Sequence, residues 1–150
     1  TNNGFIVGAT ASLKGIILRT TDGGANWTLQ DSGVNWTLHD VSFVDANNGW
    51  IAGENGTILR TSNGGATWTV QNSGTINSLY GIHFSDLNNG TAVGRLGTIL
   101  RTINGGTTWT LQTSRTGQPL RSVFFTSANN GVIVGDSGHI LRTTLGGVNP

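Results

Sequence analysis

Short apolar runs alternate with clusters of Gly, Asn, Thr and Ser along the whole chain, and they recur in register. One run is Leu38 to Phe43, matched by Leu79 to Phe84 and Leu120 to Phe125. A second is Gly49 to Gly53, matched by Gly4 to Gly8, Gly90 to Gly94 and Gly131 to Gly135. A third is Ile-Leu-Arg-Thr, at Ile17 to Thr20 and again at Ile58, Ile99 and Ile140. A fourth starts at Trp27, Trp68 and Trp109. β-Branched and aromatic residues fill these runs and Gly and Asn punctuate them, which predicts strands. No segment carries helical periodicity over a useful length. Asn47-Asn48-Gly49, Asn88-Asn89-Gly90 and Asn129-Asn130-Gly131 tolerate positive φ and predict hairpin-like joints.

Arg19, Arg60, Arg101 and Arg142 are spaced 41 residues apart, so the chain is a repeat array. Ile58 and Leu59 are adjacent and point to opposite faces of their sheet, so both faces must be covered. Four-stranded antiparallel sheets packed face to face around an axis meet that requirement. A period near 40 residues with four strands per unit matches a β-propeller, with about 3.5 blades here. The expected division is a partial blade 1–33, blades 34–74 and 75–115, and a partial blade 116–150. Thr1 aligns with Ala46, after the first strand of a blade, and Pro150 stands where a fourth Trp belongs. The first partial blade therefore lacks its first strand and the last its fourth. Uncovered strand edges are aggregation templates. The expectation is a segment of a larger propeller, or a chain that completes its ring with other copies.

Composition narrows the picture. Only 10% of residues are charged and the net charge is +1, which leaves no basic field for nucleic acid. No Cys is present, so disulfides and thiolate metal sites are excluded. No apolar run approaches the ~18 residues of a membrane span, so no membrane insertion is expected. Few charges with abundant Thr and Asn suit an exported protein, whether periplasmic, lumenal or extracellular.

The turn before each Trp reads Thr20-Thr21-Asp22-Gly23-Gly24-Ala25-Asn26-Trp27, then Thr61 to Trp68, then Thr102 to Trp109. It resembles the Asp box, Ser/Thr-x-Asp-x-Gly-x-Thr-Trp, of bacterial neuraminidase-type repeats. The longer pattern, with Asn-Gly-Trp ahead of Gly-Thr-Ile-Leu-Arg-Thr and then the box, resembles the photosystem II stability/assembly factor family over essentially the whole chain. The resemblance is specific for fold and not for function, because such repeats also occur in sialidases and sorting receptors. Asn63 and Asn104 replace the Asp of the box, keeping the acceptor and losing the charge. That suits a structural role for Asp22, Asn63 and Asn104, with Trp27, Trp68 and Trp109 packed between sheets. The fourth copy, Thr143 to Gly147, lacks the acceptor.

Candidate binding residues follow from what repeats and what varies. The four arginines have a bland role, holding a neighbouring blade's carbonyl or turn, and a sharp one, binding an acidic partner. The assembly-factor resemblance implies that such arginines bind a membrane-protein precursor. Variation concentrates on one rim, at the turns Glu54-Asn55, Arg95-Leu96 and Asp136-Ser137, at the blade connections, and at four extra residues Thr10 to Leu13. One position at the start of the first strand changes from His39 to Tyr80 to Arg121. Trp36, beside a connection, suits a sugar ring or an apolar side chain. His39, His83 and His139 occupy three different repeat positions and form no repeated metal site. Four Asn-x-Thr sequons, at Asn26, Asn35, Asn55 and Asn89, are explained by composition. The sialidase resemblance implies a Tyr-Glu nucleophile pair, for which only Tyr80 and Glu54 are available, in different blades. The expected role is non-catalytic binding or scaffolding of a protein partner, without cofactor or metal. Carbohydrate binding is the second reading, and part of a sialidase-like hydrolase the third.

Overall fold

Each repeat forms one antiparallel meander in the computed structural model, which describes residues 2–12 and 14–146. The first sheet is β1 (Gly4–Ala9), β2 (Gly15–Thr20) and β3 (Thr28–Asp31). The second is β4 (Leu38–Phe43), β5 (Gly49–Gly53), β6 (Ile58–Thr61) and β7 (Thr69–Gln71). The third is β8 (Leu79–Phe84), β9 (Gly90–Gly94), β10 (Ile99–Thr102) and β11 (Thr110–Gln112), and the fourth β12 (Leu120–Phe125), β13 (Gly131–Gly135) and β14 (Ile140–Thr143). The sheets stack face to face as consecutive propeller blades, with β4, β8 and β12 side by side. The fourth strands begin one residue after the expected Trp. Thr1, Leu13 and Gly147 to Pro150 lie outside the described residues, so the expectations placed on them stay with the sequence.

The core is three clusters, one per seam between sheets. Ile17 of the first sheet meets Leu38, Ile51 and Leu59 of the second. Trp50, Ala52 and Ile58 of the second meet Ile82, Ala92 and Leu100 of the third. Val93 and Ile99 of the third meet Val123, Ile133 and Leu141 of the fourth. The adjacent Ile-Leu pairs therefore split between two seams, as their opposite directions require. Aromatic pairs reinforce the first two seams: Phe5 stacks on Phe43 at 4.3 Å, and Trp50 on Phe84 at 3.6 Å.

The first strands are also joined along their edges. The carboxylate of Asp40 accepts the Ile82 N–H at 2.8 Å, and the Ser42 hydroxyl accepts the Phe84 N–H at 3.0 Å. One seam on, Nδ1 of His83 accepts the Phe125 N–H at 3.3 Å. Strand edges that would otherwise present bare amides are thus covered by side chains of the preceding sheet. Burial raises the Asp40 pKa, against the pull of the Ile82 and Val41 amides and of His83. Burial lowers that of His83, and Asp40 pulls it back up.

Candidate functional site

Two rims emerge with different chemistry. On one, each Asn-Gly turn is tied to its own Asp box: the Gly64 N–H donates to Asn47 O, Gly105 to Asn88 O and Gly146 to Asn129 O. The box is a local device, as its composition indicated. Oδ1 of Asp22 accepts the Asn26 N–H at 2.9 Å and the Thr20 hydroxyl at 2.7 Å. Asn63 and Asn104 repeat both bonds with their amide oxygens, to Thr67 and Thr61 and to Thr108 and Thr102. The Asn26 amides and the Thr20 hydroxyl hold the Asp22 pKa down at about 2. Trp68 packs edge-on against Phe5 and Phe43, and Trp109 against Phe84. Trp27 differs: with no described sheet before it, it is 39% exposed and its indole N–H donates to Gly24 O.

The repeated arginines belong to this box rim and reach from one sheet to the next. Arg101 is buried, and its guanidinium donates to Gly90 O, Thr91 Oγ1, Asn89 Oδ1 and, across the seam, Ala128 O at 2.7 Å. It also lies over the Phe125 ring at 5.3 Å. Burial lowers its pKa while Asp86 raises it. Arg19 and Arg60 lie against the box glycines Gly64 and Gly105 of the following sheets, and Arg60 covers the Trp50 ring at 5.7 Å. Arg142, on the last sheet, is exposed. Clasping the next sheet is thus the observed work of the first three.

The opposite rim carries the variable residues. The Glu54 N–H donates to Thr37 O, Arg95 to Ser78 O and Asp136 to Pro119 O, which binds each inner turn to the connection entering its sheet. A register shift interrupts β4, β8 and β12 between Leu38 and Asp40, Leu79 and Gly81, and Leu120 and Ser122. His39, Tyr80 and Arg121 are the residues inside these bulges, a device that re-aims a side chain. They form one continuous row. The His39 and Tyr80 rings meet edge to face at 5.3 Å, and the Arg121 guanidinium lies 4.7 Å over the Tyr80 ring. Glu54 flanks one end, 4.0 Å from His39, and Asp136 grips Arg121 with two bonds of 2.8 and 2.7 Å at the other. This pair raises the Arg121 pKa and lowers that of Asp136. Its fork geometry consumes much of the charge of Arg121 internally. Tyr80 and Glu54 each touch His39, which stands between the two groups a sialidase-like pair would need in contact. The exposed Trp36 lies on the connection entering β4. His83 is used in the seam, and His139 Nδ1 lies 3.0 Å from Asp136 O.

Apart from the row, whose residues do not line it, a groove of about 760 Å³ opens between the connections Ser73–Asn77 and Ser114–Gly117. Leu96, Trp109 and Leu111 are apolar members of a lining otherwise mostly of Ser, Thr and Gly, and Arg115 is its one charged residue. Sequence reasoning missed this groove. Its signals were Leu96 and Arg115, non-glycine residues held at positive φ, which composition alone cannot single out.

A sequence profile of the family described as photosynthesis system II assembly factor YCF48 matches residues 27–79, from the box residue Trp27 through the second sheet to the start of β8. The structure of YCF48 bound to a D1 peptide is 26% identical, covering 75% of this chain and 38% of that one, with a TM-score of 0.67. The chain is an Asp-box propeller related to the photosystem II assembly factor. YCF48 from Cyanidioschyzon merolae matches at 19% identity over 93% of the chain, with a TM-score of 0.77. A GH74 enzyme from Niastella koreensis shares the fold at 17% identity over 98% of the chain, with a TM-score of 0.79. No curated protein matches the chain in sequence. The chain spans less than half the length of these three relatives, 38% of the peptide-bound YCF48, 47% of the C. merolae chain and 27% of the N. koreensis one. Among the described residues no helix is long and apolar enough to cross a membrane, and no cluster of three or more His, Cys, Asp or Glu could hold a metal ion.

Proposed function

We propose that this propeller is a non-catalytic binding scaffold, an assembly factor or a structural part of an exported complex, that takes an extended segment of a protein partner on its variable rim. One observation carries the reading: three repeat-specific side chains, His39, Tyr80 and Arg121, are bulged into a single contacting row on the variable rim. Repeat-specific residues on a rigid scaffold are where recognition is built. The relationship to a propeller whose structure was solved with a peptide supports a protein partner. The arginine set is the weaker candidate, because Arg101 has its donors filled within the fold.

Selection of random displayed peptides on the immobilised chain tests this. Enriched peptides should bind the parent and lose at least about tenfold in affinity, roughly 1.4 kcal/mol, to a Tyr80→Ser/Arg115→Glu variant with unchanged unfolding. Binding that survives those changes and falls with Arg142→Glu would move the site to the arginine face. The exposed indole of Trp36 supports carbohydrate as the second reading. A glycan array that retains sugars, with Trp36→Ala weakening them, would favour it. Turnover of a fluorogenic glycoside, abolished by Glu54→Gln, would overturn the non-catalytic reading.

A further inference from the structure

The groove runs along the third sheet, which has all four strands, between the connection that enters it and the one that leaves it. Two of its residues hold a backbone conformation that their side chains disfavour: Leu96 at φ 56° and Arg115 at φ 58°. At the position of Arg115 the other repeats carry Gly33 and Gly74, at φ 69° and 73°. There the Gly33 N–H donates to Oδ1 of Asp31, and the Gly74 N–H to Oδ1 of Asn72. The third repeat has Thr113 in the place of Asp31 and Asn72. It thus gives up both the glycine and the carboxylate or amide acceptor of that turn. At the position of Leu96 the neighbouring repeats carry the shorter polar residues Asn55 and Ser137. Ile76, in the connection entering the sheet, is 82% exposed where the neighbours carry Asn35 and Gly117. Local fit does not account for these choices. Strain kept where sister turns relieve it points to a use for the side chains it projects.

We propose that the groove receives an acidic, extended segment of a protein partner, with an apolar side chain against Leu96, Trp109 and Leu111 and a carboxylate on Arg115. Charge decides the occupant. Where the second and fourth sheets have Glu54 and Asp136 in the inner turn, the third has Arg95, the residue before Leu96. Between residues 72 and 118 the only carboxylate is Asp86, and it holds the Asn88 and Asn89 amides of a turn on the box rim. Arg95 and Arg115 are exposed, and neither has an ion-pair partner among the described residues. An unpaired guanidinium offers a planar fork of donors that matches a carboxylate. A basic segment would meet like charge on this stretch of the rim. The inference rests on the reading that the variable rim takes a protein segment, and it adds the chemistry of that segment and a second place where it lies.

Random displayed peptides selected on the immobilised chain provide the probe. The enriched pool should carry Asp or Glu beside a large apolar residue, and its binding should weaken as salt rises. Arg115→Gly and Leu96→Asn restore the residues that sister turns use at these angles, so each variant should unfold at no lower urea concentration than the parent. Each should nonetheless lose at least about tenfold in affinity for labelled enriched peptides, read by fluorescence anisotropy. An enriched pool that is not acidic, or that binds both variants as well as the parent, overturns the inference; where Tyr80→Ser weakens such peptides, the row remains the partner site. Variants that lose stability along with binding assign the two side chains to the fold and overturn it as well. A parent that enriches no peptide overturns the inference together with the reading beneath it.

Discussion

Asn104 does with an amide what Asp22 does with a carboxylate, and the difference between them is confined to acid. Asn104→Ala removes the acceptor of Thr108 N–H and Thr102 O–H, and should cost about 1–2 kcal/mol in urea unfolding. Asp22 has a folded pKa of about 2, below its ordinary 3.8. Its contribution is therefore complete above pH about 4 and is lost as pH falls towards about 2. Comparing Asp22→Asn with the parent across that window should give the flatter profile for the variant. Arg101→Ala strands four acceptors and should cost about 2–4 kcal/mol in the same assay, while the exposed Arg142→Ala should leave the unfolding of the monomer nearly unchanged. The identical spacing of the arginines was visible in the sequence, and so was their structural reading. The saturation of Arg101 was not, because its acceptors come from two turns, Asn89 to Thr91 and Ala128, that only the packing of the third sheet on the fourth brings together.

At the level of the strand, hydrophobic runs and Asn-Gly joints located all fourteen strands found among the described residues, including the third strands from their Ile-Leu-Arg-Thr core. What the runs could not show is the bulge in β4, β8 and β12. An extra residue at His39, Tyr80 or Arg121 leaves the apolar alternation on either side intact, so its direction is set by pairing and not by pattern. The grip of Asp136 on Arg121 was hidden for the same reason, since only the bulge turns the guanidinium towards the inner turn. Glycine at the head of each second strand has a more legible purpose. A Cβ on Gly90 would clash with the Phe84 ring, which is itself stacked on Trp50. Gly90→Ala should therefore cost about 2–4 kcal/mol and lower the thermal midpoint by several degrees, whereas the loop residue Gly117, with open space around it, should accept Ala freely.

For the molecule as a whole, the 41-residue period was sufficient to place sheets around an axis, and the box turns to put Asn-Gly and Asp-box residues on one rim. The seams needed coordinates. Their edge bonds use a different side chain each time, Asp40 and Ser42 and then His83, so no repeat of sequence announces them. The last seam should respond to pH. His83 accepts the Phe125 N–H only when Nδ1 is unprotonated, and burial holds its folded pKa below the ordinary 6.5. Its contribution is full above pH about 6.5 and falls as pH drops through the folded value. His83→Asn, which keeps an acceptor near Nδ1 and does not titrate, should lose less stability than the parent between pH about 7.5 and about 5.5, read by urea unfolding. Every one of these edge bonds also points the same way, from a side chain on one sheet to a backbone amide on the following one. The array consequently has a grain: removing or duplicating one whole 41-residue unit leaves each remaining junction facing in its proper sense, which makes whole-unit insertion and excision the tolerated way for such a chain to change size.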